Sequence, residues 1–495
     1  MPLSNEAALA PMQKSAFDEV LTAEATPSIQ IQFPYNINTD LVEKRENNLG
    51  TVTQADGMAV MQSGAAANSA AHLLSKVLLK YRPGQGALVR FTALFTAGVA
   101  DSVQLAGIGE VGDGLFFGFN GAVFSILRRE QGKPEVQTVT ITSGAVTATG
   151  NITINLDGVA KTVAVVSDDS AREVAVKIAA ADFSDTGLGW SASVHNATVI
   201  FKAWSDGNKA GTFSLVDTDT TGVAGTFAET VAGVSTTNEW VAQTDWNEDK
   251  ADGAGDLPIL DPTKGNVFQI RYQWLGFGLL SFAIEDPADG EYHTVHTIRF
   301  ANANVIPSLQ NPTLPLHVMA KNMANTSNLT VKTGSMAAFV EGHIVEDSVL
   351  HGVSNAITGL GTTEKPILSI KNNLIHQSEI NRVRVRPEFI SLATDATKAI
   401  IFRIRIQSTL EGPVAFTDVD ADVSVISTDV AATGVTSATG REALTVTLGK
   451  TDSLLINVDE LDKKLNPGEH ITITAEAVSG SSHEASASLT WAELF

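Results

Sequence analysis

The sequence predicts a mainly β protein: antiparallel β-sandwich, jelly-roll-like domains carrying a small inserted α+β module of ββαββ type. Three observations predict it. Period-2 apolar runs recur along the chain, clearest at Ile400–Gln407, where Ile400, Phe402, Ile404 and Ile406 fall on one face and Ile401, Arg403, Arg405 and Gln407 on the other. Alternation this regular describes a strand covered on one side. Turn residues separate such runs at short intervals, as at Asn120-Gly121 between Leu115–Phe119 and Val123–Arg128. Within one stretch, 136–232, strand signals flank a short helical period. The 495 residues fit two to four domains at roughly 100–200 residues each, and 43% hydrophobic against 18% charged residues marks a folded chain.

In chain order, residues 1–40 are low in pattern and read as an extended anchoring arm, with Ser28–Pro34 leading into the first domain. A parent β-sandwich is expected from 41–135 plus 233–361. Within it the Ala-rich run Ala65–Leu79, with Leu73, Leu74, Val77 and Leu78, predicts a helix. Val267–Ile284 holds two apolar runs around Gly276–Gly278. The segment 136–232 reads as an insertion into a loop of that parent. Ile152, Ile154 and Leu156 alternate up to Asp157-Gly158, and Val163 and Val165 on the way back. Ser170-Ala-Arg-Glu173 is a capping box opening a helix with Val174, Ile178 and Ala181 on one face, and two strands then meet at His195-Asn196. Thr362–Pro366 reads as a linker and 362–495 as a C-terminal β-sandwich, with a turn at Asn466-Pro467-Gly468 and a bound last strand through Leu489 and Trp491.

Charge and composition exclude several functions. With 33 Lys+Arg against 55 Asp+Glu, the net charge is −22, the wrong sign for wrapping nucleic acid. The absence of Cys excludes disulfides, thiolate metal sites and a cysteine nucleophile. The first residues lack a basic region followed by an apolar one, so no signal peptide is expected. The uncharged stretch Gly57–Ser75 is broken by Gln62, Ser63, Asn68, Ser69 and His72, so no membrane span is expected either.

Reactive constellations are scarce. No glycine-rich phosphate cradle and no nucleophile elbow is present, and no catalytic residue is assigned. Among the 10 His, His293 and His296 sit three apart in a strand-like run, which places them on opposite faces as surface or edge residues. Glu285, Asp286, Asp289 and Glu291 flank Pro287 as solvated loop acids. The one metal pattern is Asp245, Asn247, Asp249 and Asp256, at positions one, three, five and twelve of a Ca²⁺-type loop, opposed by Lys250 at position six. No cofactor is expected, with Ca²⁺ the one cation to test. Asp418, Asp420 and Asp422 would share one strand face. Arg382, Arg384, Arg386, Arg403 and Arg405 would form a basic stripe on one sheet. The stripe either pairs across strands with those aspartates or docks an acidic partner, most simply a symmetry mate, with phosphate or sulfated glycan third.

The arm Thr26–Pro34, the runs Tyr81-Arg-Pro-Gly84 and Val89–Phe95, and the hairpin Gly114–Gly121 have a shared aromatic-rich texture. Tyr272–Gly278, Phe282–Pro287 and the closing Trp491–Phe495 continue it. With these, most of the chain resembles virion structural proteins of tailed bacteriophages and large DNA viruses, of the tail-fibre, adhesin or capsid-surface kind. Segment 136–232 is also similar to an insert module that recurs in phage structural proteins. The resemblance implies β-sandwich domains, no enzymatic activity and symmetric oligomers on a particle, and it carries over no site residues. The expected protein is therefore a non-enzymatic, virion-exposed homo-oligomer, trimer favoured, made in the host cytoplasm and partnered by other virion proteins and by a host surface glycan. The alternative is a carbohydrate-binding adhesin using Trp204, Trp240, Trp246 or Trp274, with Trp274 and Trp491 otherwise core residues. A polysaccharide-degrading enzyme ranks third.

Overall fold

The computed structural model describes residues 25–185, 189–342, 348–436, 439–458 and 464–495. The first 24 residues of the expected arm lie outside them. The remainder of the arm begins as the strand Ala25–Gln32, which pairs antiparallel with Ser335–Glu341 and buries Ile29 and Ile31.

Antiparallel sheets account for nearly all of the regular secondary structure among the described residues, because alternating side chains give each strand one face to bury. A nine-stranded sheet, including Ala87–Phe95, Asn266–Tyr272 and Leu280–Glu285, faces a seven-stranded one. The seven-stranded order is Thr237–Ala242, Val123–Glu130, Gly114–Asn120, Ser102–Gly109, Leu314–Asn322, Ala70–Leu79, Val42–Asn47. The core between them is aromatic: Phe117 of the second sheet meets Phe268 of the first at 4.7 Å between ring centroids, with Phe95, Phe124, Phe282 and Trp246 around them. A four-stranded and a six-stranded sheet enclose a second core that includes Phe402, Ile404, Ile473, Leu489 and Trp491. A third core, around Ile152, Val174, Ile178, Trp190 and Phe201, lies within residues 139–223. That segment leaves and rejoins the first sandwich at one point, where Lys133 and Val234 exchange two N–H···O bonds of 2.9 Å.

The helix within the third unit, Ala171–Ala180, opens as expected: Ser170 Oγ accepts from the Glu173 amide and Glu173 reaches back to the Ser170 amide. The hairpin at Asp157-Gly158 also forms, with both residues at positive φ. Elsewhere the sequence reading needs correction. Ala70–Leu79 is a strand between Val42–Asn47 and Leu314–Asn322, and no helix spans 65–79. It is buried on both faces over much of its length, so it reads as a continuous apolar run, and pairing on both sides overrides the helical preference of its alanines. The turn after Gly114–Asn120 falls at Gly121-Ala122, one residue later than expected, because Asn120 still pairs with Val123. Val349–Leu360, assigned by sequence to the first sandwich, runs antiparallel to His483–Leu494 in the four-stranded sheet. Thr362–Pro366 accordingly connects the two sheets of one sandwich.

Candidate functional site

Two polar regions lie where the third unit meets the rest of the molecule. The first centres on Glu110, just past the end of Ser102–Gly109. Three cations from three parts of the chain converge on its carboxylate: Arg45 Nη2 at 3.3 Å, Lys202 Nζ at 2.7 Å and Arg382 Nη2 at 3.8 Å. Burial alone would raise the Glu110 carboxyl, but Lys202, Arg45 and Arg382 outweigh it and hold it well below the usual carboxylate range. Further contacts close the same junction. Asn196 donates to the Phe416 carbonyl at 3.0 Å and accepts from its amide at 2.8 Å, and Lys371 Nζ donates to the Val194 carbonyl. Lys371 also lies over the Phe416 ring, and its burial lowers its pKa to about 8.

The second region is a cavity of about 270 Å³ between the outer face of the seven-stranded sheet and the end of the strand Thr198–Asp206. Trp204, Ser205 and Asp206 form one wall. Arg129, Trp240, His317 and Lys321, from three strands of the seven-stranded sheet, form the other. Trp240 packs on a small apolar cluster of Leu105, Phe116, Leu127 and Met319, which anchors its indole at the rim. His72 Nδ1 and His317 Nε2 share a hydrogen bond of 3.1 Å with their rings stacked. Burial first, then His317 and nearby cations for His72, and Arg129 and Arg45 for His317, keeps both well below the ordinary histidine pKa. Burial brings Arg129 down to about 10, against the opposing pull of Asp206. Its Nε donates to Asn238 at 3.0 Å and its Nη1 to the Glu110 carbonyl at 3.3 Å, so the cavity and the junction share a wall. Asp206 accepts from the Thr236 amide at 2.7 Å.

Several groups in this wall are left open. Among the described residues, Trp204 Nε1 and Ser205 Oγ are buried without a hydrogen-bond partner. Lys321 Nζ feels Asp206 electrostatically but makes no hydrogen bond or ion pair there. Sequence reasoning named Trp204 and Trp240 separately. It had no signal for Arg129 or Lys321, because only strand order brings residues 129, 204, 240 and 321 together.

The residues singled out by sequence are distributed as follows. Asp249 accepts from the Ala251 amide at 2.7 Å and the Leu257 amide at 3.0 Å, and Asn247 exchanges two hydrogen bonds with Thr297. Asp245 ends a short 3₁₀ turn, and Asp256 is 87% exposed beside His293. Asp245, Asp249 and Asp256 do not gather. The described acid–histidine group whose ligand atoms lie within 4.8 Å of one another is Asp286, Asp289 and His293. His293 and His296 lie on an edge strand as expected, but His296 is buried and accepts from the Asn247 amide at 3.2 Å.

The five arginines do not share a sheet. Arg384 and Arg386 lie on the strand Arg384–Thr394 of the four-stranded sheet, with Arg382 just before it. Arg403 and Arg405 lie on Ile400–Ile406 of the six-stranded sheet. Arg405 binds Glu364 bidentately at 2.6 and 2.8 Å, and Arg403 binds Glu476 at 2.7 Å. Their acids come from the linker and an adjacent strand rather than from Asp418, Asp420 and Asp422. That aspartate row forms no strand face: Asp420 and Asp422 sit in a turn closed by the Asp422 amide donating to Asp420. Trp246 and Trp491 are core residues, and Trp274 is partly buried with its indole N–H on the Leu309 carbonyl.

No protein-family model and no curated protein matches the chain. Similar solved structures include the carbohydrate recognition domain of Emp46p in its potassium-bound form, at 11% identity over 65% of this chain and 97% of that one, with a TM-score of 0.22. The lectin from Bauhinia forficata in complex with GalNAc is 10% identical over 63% of this chain and 98% of that one, TM-score 0.23. A triple-jelly-roll turret structure from an archaeal virus is 8% identical over 98% of each chain, TM-score 0.16. At these values the likenesses add nothing to what the strands and cores establish.

Proposed function

We propose that the chain is a non-enzymatic structural protein of a virion, exposed on the particle as a tail-fibre, spike or capsid-surface component and assembled as a homo-oligomer, trimer favoured. In this reading residues 136–232 are an insert into the first sandwich and the C-terminal sandwich is a separate unit. The observation that carries it is the Glu110 junction. One buried carboxylate ties the first sandwich, the insert and the approach to the C-terminal sandwich together, which stiffens three β units into a single body. A permanently exposed particle component needs such stiffness more than it needs a mobile reactive cleft.

The four-stranded sheet supports assembly. Its edge strands Val349–Leu360 and Asp452–Asn457 expose Val349, Leu350 and Leu455, and an apolar strand edge is a template for adding another strand. Arg382, Arg384 and Arg386 belong to the same proposal as interface residues, lining a cavity of about 300 Å³. Mass spectrometry of purified virions, with electron microscopy to place the chain, tests the reading. Absence from the particle overturns it, and a monomer in multi-angle light scattering overturns the assembly part.

A further inference from the structure

We infer that the cavity between Trp204 and Trp240 is a binding site for a sugar carrying a carboxylate. The inference goes beyond the virion reading and does not depend on it. At about 270 Å³ the cavity sits at the small end of ligand sites, which run from roughly 300 Å³ upward, and has room for a small ring rather than an extended chain.

The lining selects the chemistry. Two indoles offer flat apolar faces, which suit the C–H face of a pyranose. Asn68 and Asn120 offer amides that donate and accept, matching hydroxyls that do both, while the Asn238 oxygen already accepts from Arg129 and leaves its amide N–H groups to donate. A purely apolar ligand would leave these amides, with Trp204 Nε1 and Ser205 Oγ, unmatched on burial. The charge then distinguishes among sugars. Arg129 and Lys321 face a single carboxylate, Asp206, which already accepts from the Thr236 amide, while the stacked His72 and His317 are held below the ordinary histidine range and add no charge near neutral pH. The lining is therefore net positive within a chain of net charge −22. Arg129 is held by Asn238 and the Glu110 carbonyl, whereas Lys321 keeps its ammonium unengaged among the described residues. Lys321 is only partly buried and its ammonium is not among the enclosed unpartnered atoms, so it stays within reach of solvent and of an anion entering along that wall.

Lys321 thus takes the ligand carboxylate, Trp240 the ring face, and the asparagines the hydroxyls. The test uses the full chain with methyl glucuronide and N-acetylneuraminic acid as acidic probes and methyl glucoside as the neutral control, read by saturation-transfer NMR and calorimetry. The wild type is expected to bind at least one acidic probe more tightly than the control. Lys321→Met is expected to lose about tenfold or more in affinity for that probe, the loss of one charged hydrogen bond, while melting close to wild type because Lys321 makes no hydrogen bond or ion pair among the described residues that the change would break. Trp240→Leu, checked for an unchanged circular dichroism spectrum, is expected to weaken acidic and neutral sugars alike. The inference is overturned if no probe binds at millimolar concentration, if acidic and neutral probes bind equally, or if Lys321→Met binds as the wild type does.

Discussion

Glu110 and Lys321 stand on either side of Arg129, and their surroundings are opposite. Around Glu110 every charge has an answer: Arg45, Lys202 and Arg382 surround the carboxylate, and Arg45 is itself shared with Glu43 at 2.7 Å. Around Lys321 the ammonium, an indole N–H and a serine hydroxyl have none among the described residues. Removing a partner from a satisfied buried cluster strands the remaining charges, whereas removing an unengaged group strands nothing. The comparison separates a region built to hold the units together from one left open to solvent and ligand, and mutation should tell the two apart by sign.

The largest effect belongs to the closed region. Glu110→Ala leaves Lys202 without its carboxylate, and Arg45 and Arg382 with only Glu43 and Asp113, and should destabilise by about 3–5 kcal/mol in urea melts. Adding Lys202→Ala should recover part of that loss, since the two share one interaction. Strict additivity of the two changes would show that the junction is not one coupled cluster. Acid should act next. Burial holds His195 and His470 at about 4 and His317 at about 3, against 6.5 for an ordinary histidine. The unfolded chain therefore takes up protons that the folded chain refuses. Their contribution to stability is full above about pH 6.5 and is lost as pH drops toward 4, by up to about 3 kcal/mol for each histidine. Glu110, whose pKa is depressed, adds its own loss only below the usual carboxylate range near 4.5. A melting temperature flat from pH 7 to 5 would contradict the burial of these histidines.

Local chemistry was legible in the sequence wherever it closes within a few residues. Ser170 and Glu173 lie three apart, so their capping box is written in the chain, and Ser170→Ala should cost about 1 kcal/mol, read as an earlier melt. The one-sided strand Ile400–Ile406 was equally plain, with Phe402 and Ile404 buried. What needed the sheet order was not legible. Ala70–Leu79 resembles a helix until partners on both sides are supplied, and Arg403 looks like part of a stripe until Glu364 and Glu476 are placed beside it. The cleft is the extreme case. Residues 129, 204, 240 and 321 meet only through a strand order that no local pattern encodes, so sequence could name the tryptophans and miss the two cations between them.

The smallest effect concerns the loop Asp245–Asp256, which looks open by composition but is closed by structure. A Ca²⁺ ion would need Asp249 to turn its oxygens inward, yet both already accept backbone amides, from Ala251 and Leu257, and the Asn247 side chain is spent on Thr297. Freeing them would cost the turn two hydrogen bonds of about 1 kcal/mol each before any ligand bond formed. Neither millimolar Ca²⁺ nor a chelator should then move the melting temperature, and Asp249→Asn should weaken the loop through its lost charge on the amides, independent of calcium. A rise in melting temperature with Ca²⁺ that Asp249→Asn abolishes would move this loop into the open class beside Lys321.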